Sequence, residues 1–131
     1  GWTEEETRNR LYFAAVCRCF PGKNPGGGDR VPSPEEIVAC GSWLDAEFAL
    51  LRPHLIIPVG KLALRRFIPP APLVDIIGKR FTHSYQGQTI DVIPLPHPSG
   101  ASPWPRIEPG KGLLQQAMAQ IAAHPVIQKL D

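Results

Sequence analysis

A single histidine fenced by prolines is the residue best placed to act chemically in this sequence. His97 lies in Pro96-His97-Pro98-Ser99-Gly100-Ala101-Ser102, followed by Pro103 and Trp104. Proline fixes φ and removes a backbone donor, so the stretch cannot continue a strand ladder and presents the imidazole from a pre-set backbone. A ring held in this way offers one nitrogen at a fixed place, as a hydrogen-bond donor or as a charge. Ser99, Gly100 and Ser102 add hydroxyls and exposed backbone N–H groups, a set suited to seating a phosphate. Trp104 adds a flat face able to stack on a base or wedge beside it. On composition alone, the same string also describes an ordinary surface turn.

Three cysteines, Cys17, Cys19 and Cys40, form the second chemical group. The odd count argues against a closed disulfide framework, and the Cys-Arg-Cys spacing is tighter than the usual zinc or redox CxxC. Three thiolates suit part of a metal site, whereas an iron–sulfur cluster normally takes four. Cys40, on a predicted helix, also reads as a small core residue.

The elements that must carry these residues are legible from caps and periodicity. Thr3 with Glu6 forms a capping-box pattern for a short helix to about Arg10. The apolar run over residues 11–16 predicts a strand buried on both faces. Residues 20–32, rich in Pro and Gly, predict a long loop. Ser33-Pro34-Glu35-Glu36 then opens a helix with Ile37, Cys40, Leu44, Phe48 and Leu51 at helical spacing, ending before Pro53. Residues 54–59 predict a second buried strand, and Gly60 leads into a helix from Lys61 to about Phe67. Residues 81–85 and 88–93 flank Gln86-Gly87 as a hairpin, the second arm running straight into the His97 loop. A last helix starts at about Lys111 and is limited by Pro125.

Helices alternating with buried strands predict a three-layer α/β/α fold with a mostly parallel central sheet. Ligands in such sheets sit at the carboxyl ends of the strands, where the loops 18–30 and 97–104 fall. With 131 residues the chain fits one domain, residues 1–131, and 43% hydrophobic content argues against wholesale disorder. A net charge of +2 permits a nucleic-acid partner without demanding one. No apolar run approaches the roughly 20 residues of a membrane span, and no basic-then-apolar leader opens the chain. The expectation is neither a membrane protein nor a secretory precursor.

The His97 string resembles the His-Pro-Ser motif of the uracil-DNA glycosylase superfamily. Upstream, Arg18-Cys19-Phe20-Pro21-Gly22-Lys23 and Val31-Pro32-Ser33-Pro34-Glu35-Glu36-Ile37-Val38-Ala39-Cys40 are similar to the iron–sulfur-containing members, families 4 and 5. Arg52-Pro53-His54-Leu55-Ile56-Ile57-Pro58-Val59-Gly60 continues the match, so the resemblance runs from about Leu11 to Ile121. It implies a DNA repair hydrolase that cuts the bond between a deaminated base and its deoxyribose after flipping the nucleotide out. His97 would be the catalytic residue, stabilising charge on the departing base. Pro98, Ser99, Gly100, Ala101 and Ser102 would line the damaged strand, with Gly60, Lys61 and Lys23 also at the DNA. Ala101 is small for filling the vacated stack, which gives that role to Trp104 or a neighbour. Arg18, Arg30, Arg65 and Arg66 are further candidates for the DNA surface.

The same resemblance assigns Cys19 and Cys40 as two of four [4Fe–4S] ligands, the other two belonging to an N-terminal CxxC. A complete cluster is therefore not expected from this chain, and Cys17 matches no ligand. The family's first motif, a Gly-rich water-positioning loop, does not precede Leu11, so the fold is expected to be incomplete at its N-terminus and the chain alone inactive. Ala15 stands where relatives carry a uracil-reading Asn, which puts the preferred base in question. Those two departures also suit a second reading, a catalytically dead DNA- or lesion-binding module. A third is an unrelated α/β protein whose loop binds a small phosphorylated ligand. The implied setting is cytoplasmic and nucleoid-associated, as a monomer unless another chain supplies the missing strand.

Overall fold

In the computed structural model, which describes residues 1–130, the chain forms two units, Gly1–Arg52 and a second from Pro53 onward. Capping chemistry starts both helices of the first unit. In α1 (Glu4–Arg10) the Thr3 hydroxyl accepts from the Glu6 N–H, and the Glu6 carboxylate accepts from the Thr3 N–H at 2.7 Å. Ser33 and Glu36 repeat this reciprocal pair for α2 (Pro34–Leu51), with Pro34 at the first helical position. Arg52 ends α2 at φ 46°, as it must leave the α region before Pro53. Of the apolar stripe read for α2, Leu44 is buried and Leu51 is exposed.

Residues 11–16 do not form the strand expected of them, and Tyr12 and Phe13 are exposed. An apolar run becomes a strand only where another strand takes its N–H and C=O groups, and this segment is fastened to a helix instead. The Tyr12 hydroxyl donates to Glu47 Oε1 at 2.7 Å, the Arg18 guanidinium pairs with the same carboxylate, and the Cys17 sulfur lies 3.3 Å from that of Cys40. Cys40 and Glu47 are two turns apart on one face of α2. Tyr12 and Arg18 meet the later position and Cys17 the earlier, so the segment lies along that face of the helix.

The second unit is built on three strands, β1 (Leu55–Ile56), β2 (Phe81–Tyr85) and β3 (Gln88–Val92), in the order β1-β3-β2. The hairpin forms as read, with Gln86 at φ 48° and Gly87 at φ 76°, the paired left-handed conformations of a tight two-residue turn. That turn makes β2 and β3 antiparallel, while β1 and β3 pair in parallel. The sheet among the described residues is therefore small and mixed, not mostly parallel. The parallel ladder outlasts the short β1: Asp91, Ile93 and Leu95 N–H groups donate to the His54, Ile56 and Pro58 carbonyls, and the Gly60 N–H donates to Leu95.

Successive strand residues face opposite ways, and β3 is packed on both sides. Val92 joins Leu64, Ile68 and Ile76, brought by α3 (Gly60–Leu64), the turn after it and α4 (Leu73–Ile76). Ile93 joins Ile77 and Ala117, with Leu113 and Ile121 of α5 (Gly110–Ala122) against them. A final turn, α6 (Pro125–Gln128), is capped by His124, whose Nδ1 accepts from the Val126 N–H. The buried His124 ring presents Nε2 to Asp91 Oδ2 at 3.0 Å, and Arg80 reaches the same oxygen at 2.6 Å. No helix among the described residues is long and apolar enough to cross a membrane.

Candidate active site

The parallel ladder ends by bringing Gly60 and His97 together. β1 and β3 run side by side to Val59 and Leu95, then the first chain turns into α3 and the second enters the His97 loop. This is the carboxyl edge of two parallel strands, the usual place for a ligand in an α/β sheet. Gly60 is buried at φ +80°, and a Cβ there would stand 3.1 Å from His97 Cδ2 and 3.3 Å from its Cβ. Only glycine permits both that backbone and that approach. The imidazole therefore rests against the Gly60 backbone while remaining exposed to solvent.

One hydrogen bond orients the ring. The Ser99 N–H donates to His97 Nδ1 at 3.1 Å. With Nδ1 as acceptor, the hydrogen-bond network assigns the neutral ring its proton on Nε2, which makes Nε2–H a donor on an exposed ring. The loop beyond is braced from within. Trp104 N–H donates to the Ser102 hydroxyl at 3.3 Å, and Arg106 reaches the Gly100 carbonyl at 3.1 Å. Pro98, Ser99, Gly100, Ala101 and Ser102 are all exposed.

Trp104 ties the loop to the core of its unit. Its half-buried ring packs with the Ile77–Ile93–Ala117 cluster, and a Cβ on Gly110 would lie 2.7 Å from the ring. That packing anchors the loop. Lys61 and Arg65 are exposed on and just after α3. In the other unit, Lys23 is exposed in the loop it bridges with Asp29, whereas Arg18 and Arg30 are held in ion pairs with Glu47 and Glu36. Arg106 carried no signal in the sequence, because its role depends on a carbonyl six residues away.

The cysteines gather in the first unit. Cys17, Cys19 and Cys40 line a cavity of about 150 Å³ with Phe20, Pro21, Glu36 and Ala39. A backbone hydrogen bond from Arg18 holds the Cys40 thiol below its ordinary pKa, while the bond to Cys40 pushes Cys17 up. The cluster that the resemblance implies needs four thiolates, and three are present. Glu36 is engaged by Arg30 and Ser33, and no group of His, Cys, Asp or Glu among the described residues is arranged to hold a metal ion. The residues present do not fit a complete [4Fe–4S] site.

The family model for the uracil DNA glycosylase superfamily matches residues 1–120. The chain belongs to that superfamily. Among curated relatives, it is 33% identical over 99 residues to the type-4 uracil-DNA glycosylase of Thermotoga maritima, covering 70% of this chain and 45% of that protein. The type-4 enzyme of Sulfurisphaera tokodaii is 25% identical over 99 residues, covering 72% of this chain and 43% of its own. A type-5 uracil-DNA glycosylase from Thermus thermophilus is 34% identical over 59 residues, 44% of this chain and 24% of that one. This superfamily member thus spans less than half the length of the curated relatives it matches.

Proposed function

We propose that this chain carries the His-Pro-Ser end of a DNA glycosylase that hydrolyses the N-glycosidic bond of a deaminated base, uracil or a related one, flipped out of DNA. The observation that carries the reading is the His97 imidazole seated on Gly60, with Nδ1 occupied by Ser99 and Nε2–H left as a donor. As the glycosidic bond breaks, negative charge builds on the departing base. A fixed donor aimed at that charge stabilises the transition state without reorganising at the moment of reaction. The Ser99 and Ser102 hydroxyls, exposed beside it, grip the flanking phosphates, and Gly60 and Lys61 face the same strand. Residues 1–131 act as part of one glycosylase domain, and the free edge of β1 takes a further parallel strand in the layered sheet of the whole protein. Cys19 and Cys40 contribute to a cluster only with ligands from outside this chain. The activity operates where the DNA is, in the cytoplasm and its nucleoid.

Because the chain spans less than half of its relatives, the isolated 131 residues are expected to bind DNA without releasing base. The test compares the chain and a version extended at its N-terminus on duplexes carrying uracil, hypoxanthine or xanthine. Base release by the extended version should fall about 100- to 1,000-fold in His97→Ala, the cost of removing one such donor. Binding without release by both versions supports the second reading, a lesion-binding module, which Ala15 in place of a base-reading side chain favours. Affinity that stays flat as salt rises argues against any phosphate-gripping surface.

A further inference from the structure

The tip of the His97 loop has little in its own backbone to hold it. Pro98, Pro103 and Pro105 carry no N–H, and Gly100 has neither a side chain to pack nor any atom within 4 Å of where its Cβ would stand. Yet the Ser99 N–H has to stay in place, because it is the donor that fills His97 Nδ1 and assigns the tautomer. Support arrives at the next residue. Arg106 closes one turn of 3-10 helix, Trp104–Arg106, and its N–H donates to the Pro103 carbonyl at 2.8 Å. Trp104 anchors that turn in the Ile77–Ile93–Ala117 cluster. From there the Arg106 side chain reaches back six residues, and its guanidinium donates to the Gly100 carbonyl at 3.1 Å. A hydrogen bond from an ionised donor is stronger than one between neutral groups, and a guanidinium donates from a rigid plane.

We propose that Arg106 is a positioning residue for the reaction at His97. Its bond to the Gly100 carbonyl ties the loop tip to the anchored turn, which keeps the neighbouring Ser99 N–H on His97 Nδ1 and the ring proton on Nε2. Support thus runs from the core through Trp104 to Arg106, Gly100, Ser99 and the imidazole. In this role Arg106 acts through the loop and not on the departing base. A ring that exchanges tautomers presents its Nε2–H for only part of the time, so the rate falls with the fraction held. The assignment rests on the reading of His97 as the donor to the departing base.

The experiment has two arms. Nitrogen NMR of the 131-residue chain, without DNA and at mildly alkaline pH, reads the His97 tautomer in the wild type, Arg106→Ala and Arg106→Lys. Arg106→Ala should move the imidazole from one tautomer toward a mixture while the melting temperature changes little, since Arg106 is exposed. Arg106→Lys keeps a charged donor and should recover part of the wild-type signal. In the N-terminally extended version, single-turnover base release at saturating enzyme should fall about 3- to 10-fold in Arg106→Ala, as for the loss of one hydrogen bond, and recover in part in Arg106→Lys. Saturating enzyme removes any contribution from weaker DNA binding. Unchanged nitrogen signals in Arg106→Ala overturn the proposal, as does a lysine variant no better than alanine. Release that His97→Ala leaves intact overturns the glycosylase reading and the effect on rate with it, and the two failures are told apart because the nitrogen signals are read without DNA.

Discussion

Replacing Gly60 by Ala tests whether the seat of His97 is set by the absence of a side chain. The perturbation has two separable parts. A left-handed φ of +80° is uncomfortable for any residue with a Cβ, at roughly 1–2 kcal/mol. The new methyl would also stand 3.1–3.5 Å from three atoms of the His97 side chain, tighter than ordinary contact. His97 is exposed, so the ring, not the core, gives way by a few tenths of an ångström. The stability cost is then the backbone part alone, a fall in Tm of about 4–10 °C for a domain of this size. The movement of the ring loosens the 3.1 Å bond from the Ser99 N–H, which assigns the tautomer. Thermal melting reads the first effect. Nitrogen NMR of the imidazole at mildly alkaline pH reads the second, as a shift from one tautomer with the proton on Nε2 toward a mixture. A Gly60→Ala chain with unchanged Tm and unchanged His97 nitrogen signals would refute the reasoning. An altered Tm with an unaltered tautomer would leave the backbone argument standing and remove the steric one.

Other sites give equally direct expectations. Gly110→Ala drives a methyl into the Trp104 carbonyl and ring, which are locked against the core, so urea unfolding should show a loss of about 3 kcal/mol. Asp91 is held below its ordinary pKa, first by the bond to His124 and then by Arg80. A depressed folded pKa means that its stabilisation is present above the unfolded carboxylate value and is lost as pH falls through the folded one. Asp91→Asn should therefore lower stability near neutrality by about 1–3 kcal/mol and flatten the acid limb of a stability-against-pH curve. Glu36 is drawn down to about 2, chiefly by Arg30 and then by the Ser33 N–H. Its carbon NMR titration should move up toward 4.5 in Arg30→Gln, and a midpoint that stays near 2 would contradict the pairing.

The sequence by itself determined those features whose causes lie within a few residues. Both capping boxes formed where a Ser or Thr stands three positions before a Glu, because donor and acceptor belong to one helical turn. The Gln86-Gly87 hairpin formed because its turn is a property of two residues. Pro53 ended α2 through a steric clash with its immediate neighbour. The membership of the superfamily was equally legible, since the His97 loop and the segments through Cys40 and Gly60 are contiguous strings.

What required tertiary structure was every question of partner. Residues 11–16 have the composition of a buried strand, but composition does not supply a neighbouring ladder, and Tyr12 and Cys17 turned to α2 instead. Trp104 has the residue type of a base-stacking wedge, and only the fold shows its half-buried ring packed on Gly110 and the Ile77–Ile93–Ala117 cluster. The His124–Asp91 pair joins residues 33 apart with no local pattern to announce it. His97 was visible as a constrained histidine. That its ring rests on Gly60, 37 positions earlier, followed only from two parallel strands ending side by side. Local rules act through bonds and single turns. Contacts between distant residues depend on which surfaces the folded chain brings together.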